Sequence, residues 1–395
     1  MRRTRHLSFV GVVILMLMAL LMSCAPTTTE ELPPIKIGAL LDFTGACAEY
    51  GPMNELAMRY MLDQIGWEVA GRKVDLVVED GAGEPATGLE KAKKMVEQDK
   101  VCAIIGPVMS NVAAAVASYL TPLGIPYLAI MEHSHTILES GRVFLPGGTL
   151  HEFPYVQGLY ASGELGLKKA AVIYPDYVYG QEGVEGFEHG FAVGGGQIVQ
   201  RFPTDIFCLD FGPYLGAIKE DVDCIYYSAF IGNIPVFLKQ YQEYGLHQPL
   251  FFQKGASLPI ALLTEAKDSA LGMVTAETYC ANIDTDANRK FVADFKAKFG
   301  ILPEPIHVNA YVSISAVIEA LKVTGGDTSP DKLAAAMSTV KVEAPQGTVQ
   351  FTPSGMCTYS LFLEKVEKVD GEYRLVPIKE YDQVNRDIII AKYGW

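Results

Sequence analysis

What the sequence lacks narrows its chemistry first. The 395-residue chain has no excess of basic charge, because 32 lysines and arginines face 46 aspartates and glutamates, a net charge of −14. Nucleic-acid binders carry basic faces, so no nucleic-acid partner is expected. A small anion stays open as a ligand, since a site answers to its local field rather than to the total charge. There is no G-x-S-x-G elbow and no G-x-x-x-x-G-K-[ST] loop, the usual frames for a serine nucleophile and a phosphate. The glycine-rich "AVGGGQI" (192–198) follows a helical pattern and precedes a strand, the wrong order for a dinucleotide turn. The seven histidines have no partnered acid in an obvious turn. An enzyme is therefore not expected, and no cofactor. Cysteines form no C-x-x-C pair, and the six beyond Cys24 allow fifteen full pairings among which the sequence does not choose.

The amino terminus is also short of something, namely the length to cross a bilayer. "MRRTRH" leads into the 16-residue apolar run "LSFVGVVILMLMALLM", below the ~20 residues of a membrane helix. A basic start, a short apolar core and small residues make an export signal over residues 1–23. "LMSC" resembles the bacterial lipoprotein processing box, so Cys24 is the expected lipidation site and residues 24–34 a tether. Removing residues 1–23 takes away Arg2, Arg3 and Arg5 and deepens the net charge to about −17. The expected location is extracytoplasmic, anchored by lipid to a bacterial membrane.

What is present is alternation. "IKIGALL" (35–41), "KVDLVVED" (73–80), "VCAIIGP" (101–107) and "IPYLAI" (125–130) read as strands separated by helical patterns. The rhythm restarts after "LPGGTLHEFP" with strands "AAVIYP", "GQIVQRF", "CIYYSAF", "PLFFQ" and "GMVTAETY". Near-continuous apolar strands between helices predict parallel sheets covered on both faces. Two long helical patterns follow, and "CTYSLFLEKVEKVDGEYRLVPI" closes the chain as a hairpin turned by "DG". Two α/β units put the natural ligand site in the cleft between them, beyond the carboxyl ends of the strands.

Several side chains are predicted to face that cleft. Ser110 and Asn111 open a helix after "IIGP", where free N–H groups suit a carboxylate; the plainer role for Ser110 is a helix cap. Ser134 and the backbone around Glu132 end the next strand. His133 and His135 occupy alternating positions with Glu132 beside them, yet no third or fourth ligand lies nearby in sequence, so no metal site is expected. Tyr50 and Tyr179 follow equivalent strands of the two units and could clamp an apolar body. Phe230 and Lys254 stand at strand exits of the second unit.

"IKIGALLDFTG", "AGRKVDLVVEDGAGEPATGLEKAKKMV", "IIGPVMSNVAAAVA" and "YPDYVYGQEGVEGF" resemble the branched-chain amino-acid type of periplasmic binding proteins, over nearly all of residues 35–375. The resemblance implies a type I clamshell, with two Rossmann-like lobes joined by a hinge of several crossings. The expected lobes are 35–149 with 282–357, and 150–281 with 358–395. It also implies an ABC permease as partner, a monomeric receptor, and a small organic anion or amino acid as cargo; a ligand-sensing module is the alternative. Ser110 and Ser134 match the family's carboxylate binders, and Tyr50 and Tyr179 its side-chain clamps. The ammonium half departs from the family: Phe230 replaces an aromatic hydroxyl, and Lys254 replaces the acid that receives the ammonium. Like charges repel in a partly dry cleft, so Lys254 is expected to meet an acceptor on the cargo, to pair with Glu132, or to face solvent.

Overall fold

The computed structural model describes residues 32–394 apart from 132, 141, 207, 230–232 and 255–259. The signal segment and Cys24 lie outside the described residues.

The first sheet is built from β1 (Ile35–Leu41), β2 (Glu68–Val69), β3 (Arg72–Asp80), β4 (Ile104–Ile105), β5 (Tyr127–Leu128) and β6 (Val143–Phe144), in the order β2-β3-β1-β4-β5-β6. All pairings are parallel except the short β2–β3 ladder. β1 is buried at every position but Lys36, as a run of apolar residues requires when helices cover both faces. The helices α1 (Tyr50–Gln64), α2 (Pro85–Lys94) and α3 (Ser110–Leu120) connect these strands. Gly106 ends β4 with φ +107°, and a Cβ there would lie 1.9 Å from the Leu40 carbonyl oxygen. Glycine lets the β4–α3 loop pass against β1, which brings the start of α3 to the sheet edge.

The second half repeats the design with α4 (Glu152–Gly163), β7 (Lys169–Pro175), α5 (Val178–Val193), β8 (Gln197–Thr204), α6 (Gly212–Leu215), β9 (Cys224–Ala229), α7 (Ile234–Glu243), β10 (Leu250–Lys254), α8 (Ile260–Ala266) and β11 (Val274–Glu277). Strands β8, β7, β9, β10 and β11 run parallel in that spatial order. Its core is aromatic: Phe187 stacks on Tyr226 with ring centres 4.5 Å apart, and Tyr227 lies against Phe237.

The chain then returns to the first sheet. Helices α9 (Asp286–Phe299) and α10 (Pro305–Val323) pack on α1, where Tyr60 meets Phe291, Phe295 and Phe299 edge-on and Tyr311 donates to Gln64 at 2.8 Å. After α11 (Pro330–Met337), β12 (Lys341–Ala344) and β13 (Gly347–Phe351) form a hairpin that joins the start of β14 (Cys357–Val369). β14 crosses into the second sheet, antiparallel to β11, and β15 (Glu372–Val384) pairs with it. The predicted "DG" turn is there, with Asp370 at φ 52° and Gly371 at φ 86°. The last helix is α12 (Arg386–Tyr393).

The chain therefore passes between the lobes near residues 145–152, 278–285 and 352–358. The first and third of these are bonded to each other: Leu145 N–H donates to the Gly355 carbonyl at 2.9 Å, and the Cys357 thiol to the Leu145 carbonyl at 3.1 Å. Cys47, Cys102, Cys224, Cys280 and Cys357 are buried free thiols, and Cys208 is a partly exposed one.

Candidate functional site

Two carboxylates, a buried Asp42 and a half-buried Asp80, shape the loops at the strand ends of the first lobe. Asp42 accepts from Gly83 N–H at 2.9 Å and Val108 N–H at 3.3 Å. Burial raises its pKa, and these N–H donors oppose the rise. Asp80 accepts from Phe43 N–H, Ala82 N–H and the Thr44 hydroxyl at 2.7–2.9 Å. Its burial acts upward too, but the Thr44 hydroxyl and these N–H groups outweigh it and leave the carboxyl lowered.

Ser110 is the first residue of α3, after an extended Met109. Its Oγ lies 3.2 Å from Nδ1 of His133, whose Nε2 is 2.6 Å from the Ile130 carbonyl. His133 is fully buried, and burial lowers its pKa to about 4, so the ring is neutral. A carbonyl only accepts, so the ring proton sits on Nε2 and Ser110 donates to Nδ1. From the second lobe, the Tyr177 hydroxyl faces Ser110 and the Asn111 N–H, and burial raises its pKa. A protein hydroxyl stands where an anion would meet the first turn of α3.

Ser134 is buried, and its hydroxyl donates to Glu182 Oε1 of α5 at 2.5 Å across the lobes. Burial raises the Glu182 pKa, and the Ser134 bond opposes this. Beside them, His135 and His151 meet edge to face with ring centres 5.2 Å apart. His151 is almost wholly buried, and burial together with the His135 and Arg386 charges lowers its pKa to about 3.

The remaining expected residues are placed differently. Tyr50 is buried in the first turn of α1, within the apolar core. Tyr179 points into its own lobe, against the expected clamp: its hydroxyl donates to the Gln253 carbonyl at 3.2 Å, beside a small internal cavity lined by Leu150, Phe153 and Gln157. The reason is helix register. Tyr177 precedes α5 in extended conformation and projects across the lobes, while Tyr179 lies inside the first turn. Glu132 and Phe230 lie outside the described residues, as does the Lys254 side chain. The Lys254 backbone ends β10, paired with Ala229 at the end of β9. Sequence reasoning did not single out Tyr177, Glu182 or His151, because nothing local marks them; a tyrosine at each of 174, 177 and 179 leaves the choice to the helix start.

Residues 34–366 match the family model described as periplasmic binding protein. The fold is similar to the solute-binding protein of an ABC transporter from Rhodopseudomonas palustris BisB5 in complex with 3,4-dihydroxybenzoic acid. That similarity has 30% identity and a TM-score of 0.81, and covers 89% of this chain and 98% of the other. A second R. palustris solute-binding protein, in complex with 4-hydroxybenzoate, is 25% identical with a TM-score of 0.83, covering 90% and 99%. The Leu/Ile/Val-binding protein homolog 6 of Brucella suis is 25% identical over 360 residues, 88% of this chain and 92% of that protein.

Proposed function

The chain belongs to the periplasmic binding protein family, and from that premise we propose that it delivers a small aromatic carboxylate to an ABC permease, as a lipoprotein anchored through Cys24. The observation that carries the cargo assignment is the first turn of α3. Ser110 and the Asn111 N–H sit at the lobe interface, facing a single hydroxyl from Tyr177. A cargo carboxylate takes the place of that hydroxyl, since charged acceptors bind N–H donors at a helix start more strongly than neutral ones do. The hydroxybenzoates held by the two Rhodopseudomonas proteins have the carboxylate this turn suits and no ammonium.

Lys254 extends the same reading. It ends β10 beside the end of β9, and a cation there favours a phenol or second carboxylate and disfavours an α-ammonium. The lobes are taken as 35–149 with 282–357 and 150–281 with 358–395, closing on the three crossings. Likeness to the Brucella protein favours a branched-chain amino acid as the second reading.

Thermal unfolding against a panel separates the two. A ligand at 100 times its dissociation constant adds about 2.7 kcal/mol. 4-Hydroxybenzoate or 3,4-dihydroxybenzoate is expected to raise the midpoint, and leucine to leave it unmoved. A rise with leucine alone would assign the amino-acid reading and remove the role given to Lys254.

A further inference from the structure

Beside the α3 site, three side chains from three separate elements converge where the lobes meet. His135 opens the short helical turn His135–Ser140 of the first lobe, His151 precedes α4, and Glu182 lies in the second turn of α5. One ligand atom from each lies within 4.8 Å of the other two. Glu182 Oε2 stands 3.7 Å from His151 Nδ1 and 3.9 Å from His135 Nδ1. Both separations exceed a hydrogen bond. They approach the edge of a tetrahedron around a zinc-class ion, roughly 3.4 Å for bonds of about 2.1 Å.

We propose that His135, His151 and Glu182 form a binding site for a zinc-class divalent ion that ties the first lobe to the second. Two flanking contacts hold the donors in the required orientation. Ser134 donates to Glu182 Oε1, which leaves Oε2 toward the histidines. Glu185 Oε2 lies 3.5 Å from His151 Nε2, on the side from which a carboxylate backs a metal-bound histidine, while Nδ1 is on the side of Glu182. His151 is buried and set; His135, about one-third exposed, closes the third edge by turning its ring. The surrounding charge favours a cation, because Glu152, Glu182 and Glu185 outnumber Arg386. Two imidazoles and one carboxylate select zinc, cobalt or nickel over magnesium or calcium.

The test uses tag-free full-length protein in detergent, stripped by chelator and titrated with cobalt(II). The expected result is a visible absorption band of low-symmetry cobalt that saturates at one ion per chain and is displaced by zinc. His135→Gln and Glu182→Gln are expected to weaken cobalt binding tenfold or more while keeping the metal-free unfolding midpoint near that of the parent. Absence of the band with cobalt in large excess would overturn the site, as would binding undiminished in both variants. No organic cargo is needed, so the outcome is independent of the carboxylate reading above.

Discussion

Gly183 lies within α5, and its replacement by alanine tests how this helix is seated on the second sheet. An added Cβ would lie 1.8 Å from Gln253 Oε1 and 2.6 Å from Nε2, so the amide must retreat by well over an ångström. Gln253 is buried and committed: Oε1 accepts from the Tyr226 hydroxyl at 2.7 Å, and Nε2 donates to the Tyr179 carbonyl at 3.4 Å. Moving it leaves a fully buried tyrosine hydroxyl without its acceptor, which costs about 1–3 kcal/mol. Overpacking adds about 1–3 kcal/mol, and the better helix propensity of alanine returns about 1 kcal/mol. The net expectation is a loss of about 3 kcal/mol, measured by urea denaturation. In a Gln253→Ala background the clash and the bond are both already gone, so Gly183→Ala should there be neutral or stabilising by up to about 1 kcal/mol. Equal cost in the two backgrounds would refute the assignment and place the conflict in the backbone.

Two further outcomes follow from the same structure. Tyr177→Phe removes the hydroxyl that a cargo carboxylate has to displace, worth about 0.5–1.5 kcal/mol, so calorimetric titration should show 4-hydroxybenzoate binding about two- to tenfold tighter. Weaker binding would mean that the hydroxyl holds the cargo itself. His307 is buried at the third position of α10 and accepts from the Glu304 N–H at 3.0 Å through Nδ1. Burial lowers its pKa to about 4. Unfolded histidine titrates near 6.5, so the unfolded chain binds the extra proton between about pH 6.5 and 4, and stability falls as pH falls through that window, by ~1.4 kcal/mol per unit. His307→Gln should flatten this limb in a pH series of denaturation curves; an unaltered slope would show that the folded ring carries the proton.

Elements with a local signature were legible in the sequence. The buried strand β1 announces itself as an unbroken apolar run, and Asp370–Gly371 as a turn that needs two positive φ angles. Ser110 was readable at a helix start because glycine, proline and a serine precede an alanine-rich stretch; the cap itself is Met109, with no side-chain cap bond. "IPYLAI" predicted six strand residues where two form the ladder, although Pro126 still accepts from the Ile104 N–H and the Ala129 N–H donates to the Phe144 carbonyl on either side of them. The β12–β13 hairpin was missed: its strands alternate buried and exposed positions but are only four and five residues long, too short for the alternation to stand out from the surrounding chain. What one sequence does not show is convergence. Ser134 meets Glu182 from 48 residues away, and the contact exists because the two lobes are packed against each other. Nor does sequence distinguish Tyr177 from Tyr179, since one residue of helix start decides which crosses the interface.

The buried free thiols set a chemical clock on the exported chain. Disulfide exchange requires thiolate, and an unfolded cysteine titrates near 8.5, so a few per cent of each is reactive at neutral pH. Once the lobes have formed, burial holds Cys47, Cys102 and Cys224 at about 12. Their reactive fraction falls to roughly one part in 10⁵. Completing the fold therefore ends the interval in which wrong bridges form in an oxidising compartment. Cys208, partly exposed and donating its S–H to the Asp210 carbonyl at 3.3 Å, is left within reach of a foreign thiol.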